Sequence, residues 1–142
     1  MDKKIIFLDI DGTLVTDDGW VPSSAADACR QARLNGHEIY LCTGRSKPEI
    51  YDFIMEIGFD GIIGAGGGFV ELNDGMLYHK TVPASEVRRM VDFFDQHGVD
   101  FYLESNGGLF ASKNFLPHVE RCIYGDIAND PDARRRKEEQ PH

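Results

Sequence analysis

Hydrophobic and polar positions in the first 65 residues switch repeatedly between a strand rhythm and a helix rhythm. Lys4 to Leu8 (KIIFL) is a short, nearly continuous apolar run ending at Asp9, the pattern of a strand buried on both faces of a parallel sheet. Gly12 and the turn Asp17-Asp18-Gly19 break it. From Ser24 to Asn35, Ala25, Ala28, Cys29 and Ala32 recur at helical spacing, and Gly36 follows as the residue just past the helix end. Glu38 to Cys42 (EIYLC) predicts a second strand. Ser46 and Glu49 have capping-box spacing, with Pro48 in the first turn, where its missing N–H costs nothing. Ile50, Phe53, Ile54 and Ile57 then predict one buried face of a helix that Gly58 ends, and Gly61 to Ala65 predicts a third strand. Strand, helix, strand, helix, strand is an α/β layout in which parallel pairing is expected.

After Ala65 the pattern changes. Phe69-Val70-Glu71-Leu72, the turn Asn73-Asp74-Gly75 and Met76 to Thr81 predict a hairpin, and Pro83 marks a break. A helix from Ala84 to His97 would carry Val87, Met90, Val91 and Phe94 on one face. Strands at Asp100–Glu104 and Leu109–Ser112, joined by Asn106-Gly107-Gly108, are followed by a helix from Leu116 to Tyr124. This second half reads as α+β with antiparallel pairing, so the boundary falls near Val82, with domains at residues 1–82 and 83–142.

The chain has 142 residues, 15 Lys plus Arg against 24 Asp plus Glu, and a net charge of −9. That length suits one domain on the usual size prior, and 42% hydrophobic with 27% charged residues excludes a disordered or collagen-like chain. An acidic chain argues against a nucleic-acid partner, whose footprint is a basic face. The one basic cluster, Arg134-Arg135-Arg136-Lys137, runs straight into Glu138-Glu139 and reads as a solvated helix end or tail. No apolar run approaches a membrane span, and Met1-Asp2-Lys3-Lys4 leads straight into a strand rather than a secretory signal. Cys29, Cys42 and Cys122 are odd in number and widely spaced, which fits a reducing cytoplasm rather than a disulfide framework or a C-x-x-C metal site.

The chemistry concentrates in Asp9-Ile10-Asp11-Gly12-Thr13. Two carboxylates two residues apart at the carboxyl end of a strand point to one side, where open α/β sheets bind ligands. Gly12 lets the chain turn tightly and leaves backbone N–H groups to face an anion. Close carboxylates repel unless one is protonated or a cation neutralises them, and a hard divalent ion, Mg²⁺ above all, does this with oxygen ligands.

With this segment the sequence resembles the haloacid dehalogenase-like (HAD) superfamily, whose first motif reads D-x-D-x-T. The resemblance implies that Asp9 attacks a phosphoryl group to form an aspartyl-phosphate. It implies that Asp11 protonates the leaving alcohol and later deprotonates the attacking water, and that Asp9 and Asp11 hold the Mg²⁺. A carboxylate is a ready nucleophile at pH 7, needing a metal only to offset its repulsion from phosphate. The second Asp favours transfer to water, hence a phosphatase. Leu41-Cys42-Thr43-Gly44-Arg45-Ser46 is similar to the hydrophobic-T-G-R pattern of the Cof-type sugar phosphatases, a branch of this superfamily. The phosphate contacts this implies are Ile10, Thr43 and Gly44, helped by the N-terminus of the following helix. Arg45 would either touch phosphate or substrate or form an outward salt bridge. Trp20 and its neighbours stand where family members carry a flap over the site.

Other segments depart from the family. Gly64-Ala65-Gly66-Gly67-Gly68 is not a phosphate cradle, because the third Gly of G-x-G-x-x-G falls on Phe69 and a hairpin follows; close backbone packing where the domains cross is expected instead. Cof-type proteins often have Asn-Gly-Ala there. Gly125-Asp126-Ile127-Ala128-Asn129-Asp130 matches the family's acidic G-D-x-x-N-D string, yet its helical approach and the Pro131-Asp132-Ala133 that follows read as a helix-exit turn. Lys80 and Lys113 fall on surface positions rather than where the family's phosphate-neutralising Lys belongs. His37, His79, His97, His118 and His142 make no triad or metal spacing, and His97 suits a helix end.

The resemblance thus implies a Rossmannoid HAD core, N-terminal part only, followed by the start of an inserted α+β cap. The activity it implies is Mg²⁺-dependent hydrolysis of a small phosphomonoester such as a sugar phosphate. The alternatives are a phosphomutase of the same superfamily, or a non-catalytic binding protein without a complete site. Since nothing closes the fold at Pro141-His142, the chain is expected to be part of a longer protein.

Overall fold

The structure is a computed structural model that describes residues 2–138; Met1, Glu139 and the Pro141-His142 end read above lie outside the described residues. Two compact units divide the chain: residues 1–82 with Ser105–Gly108, and Pro83–Glu104 with the residues from Leu109 on.

The first unit is a five-stranded sheet in sequential order, β1 (Ile5–Leu8), β2 (Glu38–Cys42), β3 (Gly61–Gly64), β4 (Phe69–Leu72) and β5 (Gly75–His79). β1, β2 and β3 pair in parallel, with Leu8 opposite Leu41 and Leu41 opposite Ile62; β4 returns antiparallel on β3, and β5 antiparallel on β4. The crossovers carry α1 (Ser23–Leu34) and the single-turn α2 (Asp52–Met55). Gly36 adopts φ 85° just past α1, as its position predicts. One core cluster joins Ala26 and Cys29 of α1 and Ile54 of α2 to Ile39, Leu41 and Ile62 of the sheet. Both helices therefore cover the same sheet face, as two crossovers of one hand between sequential strands require.

That geometry corrects the reading of Lys4–Leu8 as buried on both faces. Ile6 and Leu8 pack against the core, whereas Ile5 is 57% and Phe7 61% exposed. β1 lies at the edge of the described sheet, and the Phe7 ring faces that of Tyr40 across the strand pair, with centroids 5.8 Å apart. The second helix is also shorter than its periodicity predicts. Ser46 and Glu49 do form the capping box, but it closes a three-residue 3₁₀ turn, Lys47–Glu49, after which Ile50 and Tyr51 take extended dihedrals. Ile50, Ile54 and Ile57 are buried all the same; Phe53, one position from Ile54, points outward and stacks on Tyr51 at 5.9 Å.

Asp60, just before β3, ties this unit together. Its carboxylate accepts from Arg33 of α1 at 3.0 and 3.2 Å and from the Ile39 N–H at 2.8 Å. Burial pushes the Asp60 carboxyl up, but the hydrogen bonds from Arg33 and Ile39 outweigh it and hold it below the ordinary carboxylate value. Because the folded-state value is depressed, the stabilisation is present above the unfolded value near 4 and is lost as pH falls through the folded one. Asp60→Asn should therefore cost about 1–2 kcal/mol at neutral pH, with Arg33 left half-exposed and partly rehydrated, and the gap should narrow near about pH 3. Denaturant melts of both proteins at the two pH values check this; an equal gap at both would refute the ion-pair account.

The second unit holds α3 (Ala84–Gln96), all but the Ser105–Gly108 tip of a two-stranded antiparallel hairpin of β6 (Tyr102–Ser105) and β7 (Gly108–Ala111), α4 (Phe115–Tyr124) and α5 (Pro131–Glu138). Val87, Val91 and Phe94 of α3 are half-buried, with Phe94 against Phe101 at 5.6 Å; Met90, expected on the same face, is exposed. Among the described residues of this unit only Ala133 is fully buried. Arg134–Lys137 lie exposed on α5. No described helix is long and apolar enough to cross a membrane.

Candidate active site

β1 ends at Leu8, so strand alternation stops before Asp9 and Asp11 and a tight loop takes over. The Ile10 carbonyl accepts the N–H groups of Thr13, Leu14 and Val15 at 3.3, 3.0 and 2.8 Å, and Gly12, at φ 74°, donates its own to Val15 O. Ile10, Leu14 and Val15 sink into the core. The polar residues around them, Asp9, Asp11 and Thr13, are thereby left exposed on a backbone pinned from below. With the Ile10 side chain wholly buried, only its backbone can meet a ligand.

The two carboxylates differ in their company. Asp9 accepts one hydrogen bond, from the Thr13 hydroxyl at 3.2 Å. Asp11 is held by Arg45, whose Nη2 and Nε donate to its two oxygens at 2.7 and 3.0 Å. Arg45 is itself braced: its Nη1 donates to the Glu49 carbonyl at 2.8 Å, and its guanidinium lies 5.3 Å from the centre of the Tyr51 ring. The Arg45 hydrogen bond holds the Asp11 carboxyl below its ordinary value, and Asp11 raises Arg45 in turn. Arg45 thus forms a salt bridge that is directed to the first motif itself rather than outward. The clue available beforehand was the pairing of β1 with β2, which puts the T-G-R turn beside the D-x-D loop.

Thr43 is 5% exposed, with its N–H donating to Ile63 O and its carbonyl accepting from Gly66. Its Oγ1 accepts the Arg45 N–H at 3.1 Å and keeps its own proton to give to an anion. Gly44 beside it is exposed, with open space where a Cβ would stand. The expected help from a following helix N-terminus is not there. Lys47–Glu49 is one short turn, and the Glu49 carboxylate already takes the Ser46 N–H and hydroxyl at 2.9 and 2.6 Å.

The glycine run is a left-handed 3₁₀ connection between β3 and β4, with Ala65, Gly66 and Gly67 at φ 51°, 59° and 92°. Its close packing includes a contact within the sheet: a Cβ on Gly64 would stand 2.2 Å from the Phe69 ring. Gly125 leaves α4 at φ 93°, and Asp126 folds onto its own turn, accepting from the Asn129 side chain at 2.8 Å. That hydrogen bond holds its carboxyl below the ordinary range. Lys80 and Lys113 are exposed. Spacing did not reveal a cluster in the second unit, where Asp100 accepts from His118 Nδ1 at 2.8 Å and from the Ser112 hydroxyl at 2.9 Å. Both point at the Asp, so no serine–histidine relay exists; the cluster ties the hairpin to α4.

Magnesium takes one or two carboxylates and completes its shell with water and phosphate oxygens. Asp9, exposed and with lone pairs to spare, fits that demand; Asp11 keeps a lone pair on each oxygen but faces the Arg45 cation. Among the described residues no group of three His, Cys, Asp or Glu stands close enough to hold a metal.

Comparison with known proteins bears on this arrangement. The sequence profile of haloacid dehalogenase-like hydrolases matches residues 6–141. YkrA of Bacillus subtilis, named as a candidate phosphatase, is 31% identical over 132 residues, covering 92% of this chain and 50% of that one. A structure from Geobacillus kaustophilus superposes with a TM-score of 0.77 at 24% identity, over 86% of this chain and 48% of that one. A solved sugar phosphatase of HAD subclass IIB gives a TM-score of 0.61 at 27% identity, over 83% and 47%. The chain spans about half the length of these relatives.

Proposed function

Because the chain belongs to the haloacid dehalogenase-like hydrolase family, we propose that it carries the nucleophile of a phosphatase that hydrolyses a small phosphomonoester. The observation that carries the reading is the division of labour at the end of β1: one exposed carboxylate nearly free, the other gripped by an arginine. An Asp9 oxygen attacks phosphorus, and the P–O bond to the alcohol breaks as Asp11 gives that oxygen a proton. Water then attacks the aspartyl-phosphate, Asp11 takes its proton, and phosphate leaves with Asp9 restored. With Arg45 bound, Asp11 favours the ionised form, that of the base in the second step; the first step requires it to pick up a proton beforehand. The Ile10 and Gly44 N–H groups and the Thr43 hydroxyl receive the phosphoryl oxygens. Asp9 would hold a Mg²⁺ ion, which offsets the repulsion between carboxylate and phosphate when bound. Residues 1–82 would then be the N-terminal part of the catalytic core and 83–142 part of an α+β cap. The sugar phosphatase among the solved relatives makes sugar phosphates the first substrates to try. A cytoplasmic setting suits three free cysteines, two of them exposed.

Incubation with sugar phosphates and Mg²⁺ is expected to release inorganic phosphate, and chelation of the metal to abolish the release. An isomeric sugar phosphate in place of free phosphate would make the protein a mutase. No turnover at all would favour the non-catalytic reading.

A further inference from the structure

Asp11 is 61% exposed on its side chain, and an exposed aspartate ordinarily samples several rotamers. Here it does not stand alone. The Arg45 side chain is only 20% exposed, and it is fixed by partners that owe nothing to Asp11: the Glu49 carbonyl, the Tyr51 ring and the backbone N–H tied to Thr43 Oγ1. Arg45 is therefore the anchor and Asp11 the group it holds. The fork meets both carboxylate oxygens at 2.7 and 3.0 Å, so it sets the plane of the carboxylate as well as its position, which a lysine ammonium cannot do. From this geometry we infer that Arg45 is the positioning residue for Asp11, orienting the proton carrier of the D-x-D loop without touching substrate.

The inference rests on the reading of Asp11 as acid and base, and leaving-group dependence separates it from a merely structural role. A sugar phosphate needs its leaving oxygen protonated; 4-nitrophenyl phosphate expels a stable anion and does not. In Arg45→Ala, kcat/KM should fall roughly ten- to a hundred-fold for the sugar phosphate and less than about three-fold for 4-nitrophenyl phosphate. Arg45→Lys, which keeps the charge but not the fork, should recover only part of the loss. Equal losses on both substrates would overturn the inference, because damage to the fold or to phosphate binding affects both alike. A second readout needs no turnover. The Hα–Hβ couplings of Asp11 in the unaltered chain should report one staggered rotamer, and averaging in Arg45→Ala. Averaged couplings in the unaltered chain would overturn the anchoring whether or not phosphate is released. One rotamer without any turnover would overturn the phosphatase reading and leave the anchoring standing.

Discussion

An Asp9→Asn variant is expected to release phosphate at least about a thousand-fold more slowly than the parent chain while folding to the same structure. The size of the loss follows from what the side chain would do. A carboxylate oxygen offers a full negative charge to phosphorus, and the isosteric amide offers none; no neighbouring residue supplies a substitute, since the other carboxylate of the loop is held by Arg45. Preservation of the fold follows from the surroundings. Asp9 is exposed, its carboxylate accepts from the Thr13 hydroxyl at 3.2 Å, and an Asn oxygen accepts that bond equally well. The loop is pinned instead by Ile10, Leu14 and Val15, which the substitution leaves alone. Phosphate release measured beside a thermal melt separates the two effects. An unchanged melt with retained turnover would remove Asp9 from the role of nucleophile.

The largest expected stability effect lies at Phe69. It is 1% exposed, belongs to the core cluster and stands opposite Gly64 in the β3–β4 ladder, with its ring lying where a Cβ on Gly64 would be. Phe69→Ala should cost about 3–5 kcal/mol, a large part of the stability of an ordinary domain. Gly64→Ala forces the same ring aside, at a cost of about 1–3 kcal/mol. The two should not add. With the ring gone the new methyl has room, so the double variant should be more stable than the sum predicts by about 1 kcal/mol or more. Chemical denaturation of the four proteins measures that coupling, and strict additivity would mean that the ring does not fill the space above Gly64.

Local signals carried much of the fold. Turn residues, apolar periodicity and strand lengths placed β2, the ends of α1 and the β4–β5 hairpin within a residue or two, because each depends on neighbours in the chain. The helix after Ser46 shows where this ends. Capping box and periodicity were both present, and both are local, yet the chain takes a 3₁₀ turn, an extended step and one helical turn in their place. Three isoleucines reach the core either way, so a buried pattern at helical spacing did not require a continuous helix. Met90 failed for the opposite reason: its helix formed, but Met90 stays exposed while Val87, Val91 and Phe94 of the same face are half-buried.

A short apolar strand ending in Asp9-Ile10-Asp11-Gly12-Thr13 already says that paired carboxylates meet a turn at a strand end, because residue type and spacing alone put them there. The partner of each carboxylate was decided by pairing: β1 beside β2 brings Arg45 across 34 positions of sequence to Asp11. Sheet order decided which face of β1 stays in water, and the register of β3 with β4 laid Phe69 over Gly64. These are choices among rotamers and strand neighbours whose energies exist only once distant segments touch. An apolar run or a charged side chain can announce that it needs a partner, but tertiary packing alone selects which one it meets.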